Sequence, residues 1–554
     1  MDRRRFLART SFFVVAASAL SACGGGDDEP TGRYQFPQGV ASGDPRESSL
    51  VFWSRCVRTD GSAGDVPVRL QVSKSTRFDT LLADVALTAS ATYDFTVRAK
   101  VTGLPSATPL YYRFVAGNDF SAVGTGKTAP AAGATVPQLR FAWFTCQDWS
   151  VNHWAAMNLL AAESDLDFIV HLGDYIYETV GAAFQSGAAE PAHPRISLPN
   201  GTKLADGTVY ATTLADYRTL YRTYRGDARL QALHAKFALI ATWDDHEFSD
   251  DCWQDHQTYT NENKQETARR RAASQAWLEY MPVDFGDMSF DSANAAYTNL
   301  RIYRDFKFGN LAHLVMTDQR LYRDDHLVSE AVIAQAQGHD PINGGDSIGS
   351  RYFVQQPVLA QFEALKTKAL GRTPSMLGTT QTDWWKQTLK NSTSTWKIWG
   401  NEVMLSRLWL DLRALAPAPY NAQYVVNCDA WDGFPSHRAD LLRHITSNGI
   451  QNVVAITGDL HAFQCGVVRD DPANPATGTP AVVDFVSAGI SSSSFYTYIK
   501  AGAGGTPLAA LVATPEGFDG LLRAHNPDFA YVDHNAQGYA SATLTAAALT
   551  VVYN

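Results

Sequence analysis

The chain has 554 residues, 45% apolar and 11% aromatic, enough for large cores and roughly two to four domains. Its formal net charge is -10, and it becomes -13 once residues 1–22, with four Arg and one Asp, are set aside. A surface of that sign repels a polyanion, which argues against a nucleic-acid partner, and an anionic substrate has to be drawn by local charge such as a metal ion.

Residues 1–22 read as an export segment. Arg3-Arg4-Arg5-Phe6-Leu7 fits a twin-arginine signal, and Phe12–Ala22 is apolar but too short to span a bilayer. Leu20-Ser21-Ala22-Cys23 resembles a lipoprotein cleavage box, which would lipidate Cys23 and make residues 23–33 a Gly-rich tether. Ordinary cleavage, with Cys23 lost, is the alternative. Either way the expected location is outside the cytoplasm, periplasmic or at the cell surface, with the twin-arginine export machinery as a partner. A membrane is expected as a partner only through that anchor. Cys56, Cys252, Cys428 and Cys465 permit up to two disulfides or stay as buried thiols.

Residues 34–127 are short-strand material. Ser49–Trp53, Val68–Val72 and Tyr111–Val115 are rich in β-branched and aromatic residues and are bounded by turn residues. Leu104-Pro105 followed by Tyr111 and Tyr112 resembles the tyrosine-corner region of fibronectin type III domains. The expectation is a β-sandwich closed off by a linker at 128–137. From 138 to 554 the pattern changes to buried strands alternating with helices. Leu139–Phe144, Asp167–Leu172, Phe237–Thr242, Leu311–Met316, Trp396–Trp399, Val453–Ile456 and Val482–Val486 are the strands expected. Leu214–His234 and Thr267–Tyr280 read as helices. Thr179–Val209, 326–350 and 499–530 read as long loops.

Chemistry-bearing residues follow the strands. Leu139–Phe144 leads to Cys146, Asp167–Leu172 to Asp174 and Tyr177, and Phe237–Thr242 to Asp244, Asp245 and His246. Trp396–Trp399 leads to Asn401 and Glu402, and Val453–Ile456 to Asp459 and His461. In an open α/β sheet such strand ends converge, although the motifs lie far apart in sequence. Each residue alone has a structural explanation, but together they form a metal-ligand set. Soft and hard donors side by side suggest two metals, and a thiolate with a phenolate favours Fe(III) on one of them. A phosphate-cradling Gly-rich loop with Lys and Ser/Thr is missing from the sequence. Ser491–Ser494 lacks the strand–turn–helix setting of a nucleophilic serine and reads as a loop near the pocket.

Cys146-Gln147, GDYIYE at 173–178, WDDHE at 243–247, GNEVM at 400–404 and TGDLH at 457–461 resemble the PhoD-type alkaline phosphatases. FPQGVASGDP at 36–45 is similar to the opening of that family's amino-terminal β-domain. The resemblance implies an α/β fold of the calcineurin-like metallophosphoesterase superfamily. That fold is a four-layer sandwich of two mixed β-sheets flanked by helices, with an amino-terminal fibronectin III- or Ig-like β-sandwich. It implies Fe(III) held by Cys146, Asp174, Tyr177 and His461, and Ca²⁺ held by Asp174, Asp245 and Asp459, with Zn²⁺ as the alternative metal. It also implies a phosphate-facing His246, with Asn401 and Arg320 as further site residues. Glu402 stands where Gln is usual and could alter substrate contacts or ligate a metal. The activity implied is release of inorganic phosphate from phosphomonoesters, and some phosphodiesters, by in-line attack of a metal-held hydroxide. The alternatives are a phosphodiesterase or phospholipase-like enzyme on the same site, or a catalytically silent surface protein.

Overall fold

The computed structural model of the chain describes residues 14–16, 32–258, 263–284, 286, 296–298, 300–337, 352–474 and 476–554. The twin-arginine stretch, Cys23 and most of the tether lie outside the described residues, as does the 338–350 stretch of the loop expected at 326–350.

Two large mixed sheets lie face to face. One has nine strands, in the order Val14–Ala16, Thr96–Thr102, Ser49–Arg55, Val40–Gly43, Ala238–Ala241, Phe168–His171, Leu139–Phe144, Ala540–Leu544 and Leu549–Tyr553. The other has seven: Arg304–Phe308, Ala312–Met316, Trp396–Asn401, Val453–Thr457, Pro480–Val486, Phe463–Arg469 and Phe529–Asp533. Strand side chains alternate between faces, and this builds the layers. Phe141, Trp143, Phe168 and Val170 point inward against Phe308, Leu314, Ile398, Val454 and Ile456 of the facing sheet. Phe168 stacks on Phe141 at 5.1 Å and on Phe308 at 4.4 Å between ring centroids, fastening the sheets together. The alternate residues point outward. Ala142, Phe144 and Ile169 pack under Leu220, Leu230, Leu233 and Trp277 of the helices on one side. Trp399 and Ala455 pack under Trp385, Leu389, Leu441 and Leu442 on the other. All seven strands expected after residue 138 are present within a few residues of their expected bounds.

The amino-terminal sandwich has its own core, with Leu50, Phe52, Val97 and Val101 facing Val68, Leu70, Val85 and Phe114. The boundary expected at 128–137 carries no helix or strand, yet the sheets on either side of it are not separate. Val40–Gly43 pairs in parallel with Ala238–Ala241, with Ser42 opposite Ala238 and Gly43 opposite Leu239. One face of the β-sandwich is therefore an extension of the nine-stranded sheet. Trp53, on the opposite face of its strand from Phe52, donates its indole N–H to the Glu279 carbonyl at 2.7 Å and lies under the Arg225 guanidinium.

Three expectations need correction. The single helix over Leu214–His234 is two, Leu214–Tyr224 and Ala228–Lys236, because Asp227 caps the second through the backbone N–H groups of Arg229 and Leu230. The loop expected at 499–530 is largely helical: Phe495–Ala503 is capped by Ser494, and Pro515–His525 by Thr514 with Pro at its first position. Within the 326–350 loop, Glu330–Gln337 is a helix. The Thr179–Val209 loop is irregular apart from Thr179–Val180, Thr202–Lys203 and Val209–Tyr210. No disulfide joins the described cysteines. Among the described residues no helix is long and apolar enough to cross a membrane.

The strand junction has no room for a side chain at Gly43, where an added Cβ would stand 2.2 Å from the Pro282 carbonyl oxygen and 2.7 Å from that of Leu239. Gly43→Ala should destabilise the protein by about 1–3 kcal/mol, the usual cost of overpacking. In denaturant the amino-terminal region and the region after residue 138 should unfold in one transition that moves to lower concentration in the variant. Two separate transitions would show that the shared sheet does not couple them.

Candidate metal centre

The strands Leu139–Phe144, Phe168–His171 and Ala238–Ala241 run parallel, so their carboxyl ends share one edge. Trp396–Asn401 and Val453–Thr457 are parallel neighbours in the facing sheet. At these ends the chain turns sharply. Cys146, Asp174, Asp459 and His461 all have left-handed backbones, with φ of 55°, 57°, 63° and 59°. For non-glycine residues this conformation costs about 1–3 kcal/mol each and persists only where the surroundings impose it, typically at functional sites. Gly173, at φ 106°, lets the Asp174 turn lie against the next strand exit: a Cβ there would meet Asp244 at 2.3 Å. Glu247 fastens the same two turns by accepting backbone N–H groups from Tyr175 at 2.7 Å, Asp244 at 2.8 Å and Asp174 at 3.1 Å.

The four residues expected around iron come together. Cys146, Asp174 and His461 offer ligand atoms within 4.8 Å of one another. The Tyr177 hydroxyl is 3.3 Å from Asp174 Oδ2 and 3.2 Å from His461 Nε2. His461 Nδ1 lies 2.7 Å from the Ser493 carbonyl, an acceptor only, so Nδ1 carries the proton and Nε2 turns its lone pair to the centre. Three further groups lie alongside it, the first sharing Asp174 with it and all three containing Asp245: Asp174, Asp245 and His246; Asp244, Asp245 and Asp459; and Asp245, Asp250 and Asp251. Asp174 thus joins two neighbouring ligand sets, and Asp245 links three.

His246 Nδ1 is 2.7 Å from Glu178 Oε2, which leaves Nε2 for the open side. That side is a cavity of about 390 Å³. Asp174, Asp245, His246, Asp459 and His461 line one wall, and Phe184, Tyr352, Phe495, Tyr498 and Ile499 line another.

Three sequence expectations do not fit this geometry. Arg320 was expected at the phosphate, but its side chain is 0% exposed and its nitrogens are aimed at Asp244, Asp245, Asp429 and Asp459. It stands behind the carboxylates, not in the cavity. The Asn401 amide is consumed by the framework: it donates to the Val403 carbonyl at 2.6 Å and to Thr457 Oγ1 at 2.9 Å, and accepts from Trp431 Nε1 at 2.8 Å and from Gln319. Glu402 is buried and accepts from Thr242 Oγ1 and the Gln319 backbone, so it is neither a substrate contact nor a member of a ligand group.

Other residues at the site carried no assigned role in the sequence. Glu178 orients His246, and Asp250 and Asp251 extend the acidic wall. Ser492 Oγ lies 2.7 Å from both the Tyr177 hydroxyl and the Cys146 carbonyl. Glu178 closes the GDYIYE stretch, so its placement was the one such signal available.

The donor set suits metal ions. Asp245 Oδ1 and Asp244 Oδ2 are buried without a hydrogen bond. Burial, then repulsion from Asp245, pushes the Asp174 carboxyl well above its usual range. Burial and Asp244 do the same to Asp459, and burial lifts Asp244 to about 7. Burial drives the Cys146 thiol and the Tyr177 phenol far up as well, with nearby negative charge adding to it. Arg320 and His246 offset only part of the negative charge in the cluster, and bound cations would supply the remainder while ionising thiol and phenol. Burial also works against an imidazolium at His246, but Glu178, Asp245 and Asp174 outweigh it and hold that ring's pKa well above normal.

Comparison with known proteins covers most of the chain. The PhoD-like phosphatase family model matches residues 141–553, and the model of the PhoD-like phosphatase N-terminal domain matches residues 19–130. The chain is 30% identical over 479 residues to alkaline phosphatase D of Bacillus subtilis (strain 168), covering 83% of this chain and 71% of that one. A solved structure described as that of PhoD superposes with a TM-score of 0.72 at 27% identity, over 95% of this chain and 87% of the other.

The raised carboxyls make a statement about stability. Their contribution is present below the unfolded value of about 4 and is lost as pH rises through the higher folded values. Asp245 and Asp429, held low by Arg320 against the effect of burial, change only at lower pH. The metal-stripped protein should therefore lose thermal stability between about pH 5 and about pH 8, and added divalent cation should recover it at the upper end. A melting temperature that is flat over this window, with and without cation, would contradict the charge deficit.

Proposed function

The chain belongs to the PhoD-like phosphatase family and is a phosphoric ester hydrolase, and from that premise we propose that it is an exported Fe(III)- and Ca²⁺-dependent phosphatase of phosphomonoesters with some phosphodiester activity. The observation that carries the metal assignment is the convergence of Cys146 and Tyr177 with Asp174 and His461, a thiol and a phenol in one ligand set. These four would hold the iron, and Asp174, Asp245 and Asp459 would hold the calcium. Bound there, the ions would supply Lewis acidity, lowering the pKa of water and offsetting the charge of the phosphate.

The protein's own groups do the rest. His246 Nε2 faces the cavity and holds a proton that it can give to a phosphate oxygen or to the leaving alkoxide. Glu178 fixes the ring through Nδ1 and keeps it charged. The wall of Phe184, Tyr352 and Phe495 offers an apolar surface to the ester group and keeps water from that side. Export follows from Arg3-Arg4-Arg5-Phe6-Leu7, and an anchor from Leu20-Ser21-Ala22-Cys23. A protein that acquires its metal while folding is suited to a route that carries folded cargo.

Purified enzyme should be coloured by charge transfer and contain iron, and Cys146→Ser should lose iron while the melting temperature changes little. Colourless protein holding only zinc would replace the iron assignment. His246→Ala should lower kcat by about a hundredfold or more at unchanged metal content; if metal falls in step with activity, His246 is a ligand instead. Rates on an aryl monoester and the matching diester decide the substrate preference. Cell fractionation of wild type and Cys23→Ser decides the anchor: equal recovery in the soluble fraction would rule it out.

A further inference from the structure

Arg320 meets carboxylates on two sides, at unequal distances. Its Nε is 2.5 Å from Asp244 Oδ1, and its Nη1 is 2.7 Å from Asp429 Oδ2. Nη2 reaches Asp459 Oδ1 only through a long hydrogen bond of 3.5 Å and stands 3.5 Å from Asp245 Oδ1 without one. Asp245 Oδ1 has no hydrogen bond at all, although it is buried beside the most strongly hydrogen-bonding cation in the protein repertoire. A guanidinium with a free choice would close on that oxygen. Asp429 stops it, and Asp429 is itself held firmly. Its Oδ1 is 2.5 Å from His326 Nε2 and 3.0 Å from Arg323 Nη1, and its backbone N–H donates to Asn427 Oδ1 at 2.9 Å. Asp429 follows the strand Gln423–Asn427, in a different sheet from the ligand strands, and belongs to none of the four ligand groups.

We infer that Asp429 is a positioning residue for the divalent-cation site: it draws the Arg320 guanidinium back from Asp245 and Asp459, so that these carboxylates keep their lone pairs and charge for a bound cation. The inference rests on the two-metal reading above. In its absence Arg320 would shorten its long contacts with Asp245 and Asp459 and compete with the cation for the same oxygens. Groups that orient a ligand set from outside it commonly change metal affinity by about 10–100-fold.

The test is calcium binding by calorimetry to the full-length, iron-loaded, calcium-stripped enzyme, with iron content measured in parallel. Asp429→Asn should weaken Ca²⁺ binding about tenfold or more and leave iron unchanged. His326→Gln, which keeps both charges of the Asp429–Arg320 pair, should weaken it less, and it serves if Asp429→Asn does not fold. In the background of Arg320→Gln, Asp429→Asn should have no further effect on Ca²⁺ affinity, since the competitor is gone. Wild-type binding with unchanged affinity in Asp429→Asn and His326→Gln overturns the inference alone. So does an equal loss of iron, or an undiminished Asp429→Asn effect without Arg320. Wild-type enzyme that takes up no Ca²⁺ sinks the two-metal reading itself, and the inference with it.

Discussion

Asp174, Asp244, Asp245 and Asp459 are gathered at the edges of two sheets, the first three buried and Asp459 partly so. Two like charges 4 Å apart repel by about 4 kcal/mol at the effective dielectric of a protein. Four such groups cannot stay ionised together without positive charge among them. Arg320 provides some of it from behind, and Asp429 shares that charge before it reaches the front. The remainder is the deficit that defines the site.

Holding repelling groups in place requires a rigid frame, and most of the fold serves this. The stacked Phe141, Phe168 and Phe308 fix one sheet on the other toward the amino ends of the strands that lead to the site. Left-handed turns at Cys146, Asp174, Asp459 and His461 aim side chains across the sheet edge, and Glu247 ties adjacent turns through their backbones. The serines at 491–493 contribute from outside: Ser491 and Ser492 bond the carbonyls of Asp148 and Cys146, and the Ser493 carbonyl sets the tautomer of His461. None of these partners needs to touch a substrate to matter. Each removes a freedom that repulsion would otherwise exploit.

The strands and the candidate ligand residues were legible in the sequence because both leave local marks. A buried strand is a short apolar run, and Cys146, Asp174, Tyr177, Asp245, Asp459 and His461 stand within a few residues of such runs. Roles that depend on which side of a layer a residue occupies were not legible. Arg320 follows the strand Ala312–Met316 as the ligands follow theirs, and only the three-dimensional arrangement shows that its side chain turns behind the carboxylates. Asn401 and Glu402 likewise end a strand but spend their polar atoms on the framework. Asp429 left no mark, since its partners are more than a hundred residues away. The helices at 495–525 were missed because Gly and Ala richness masked the caps Ser494 and Thr514.

The continuous sheet also governs the order in which the molecule can be made. Val40–Gly43 pairs early with Ser49–Arg55 but finds its second neighbour only when Ala238–Ala241 has emerged, and Leu139–Phe144, which leads to Cys146, is bordered by Ala540–Leu544 from much later in the chain. At about 5–20 residues per second, on the order of tens of seconds separate synthesis of those last two strands. During that interval the first has an open edge, the kind of surface on which nascent chains mispair. The shared sheet of the amino-terminal region is completed only by a strand made much later, and the strand leading to the thiol is enclosed only after Ala540–Leu544 has been made. The topology itself thus leaves strand edges open while the chain is being synthesised.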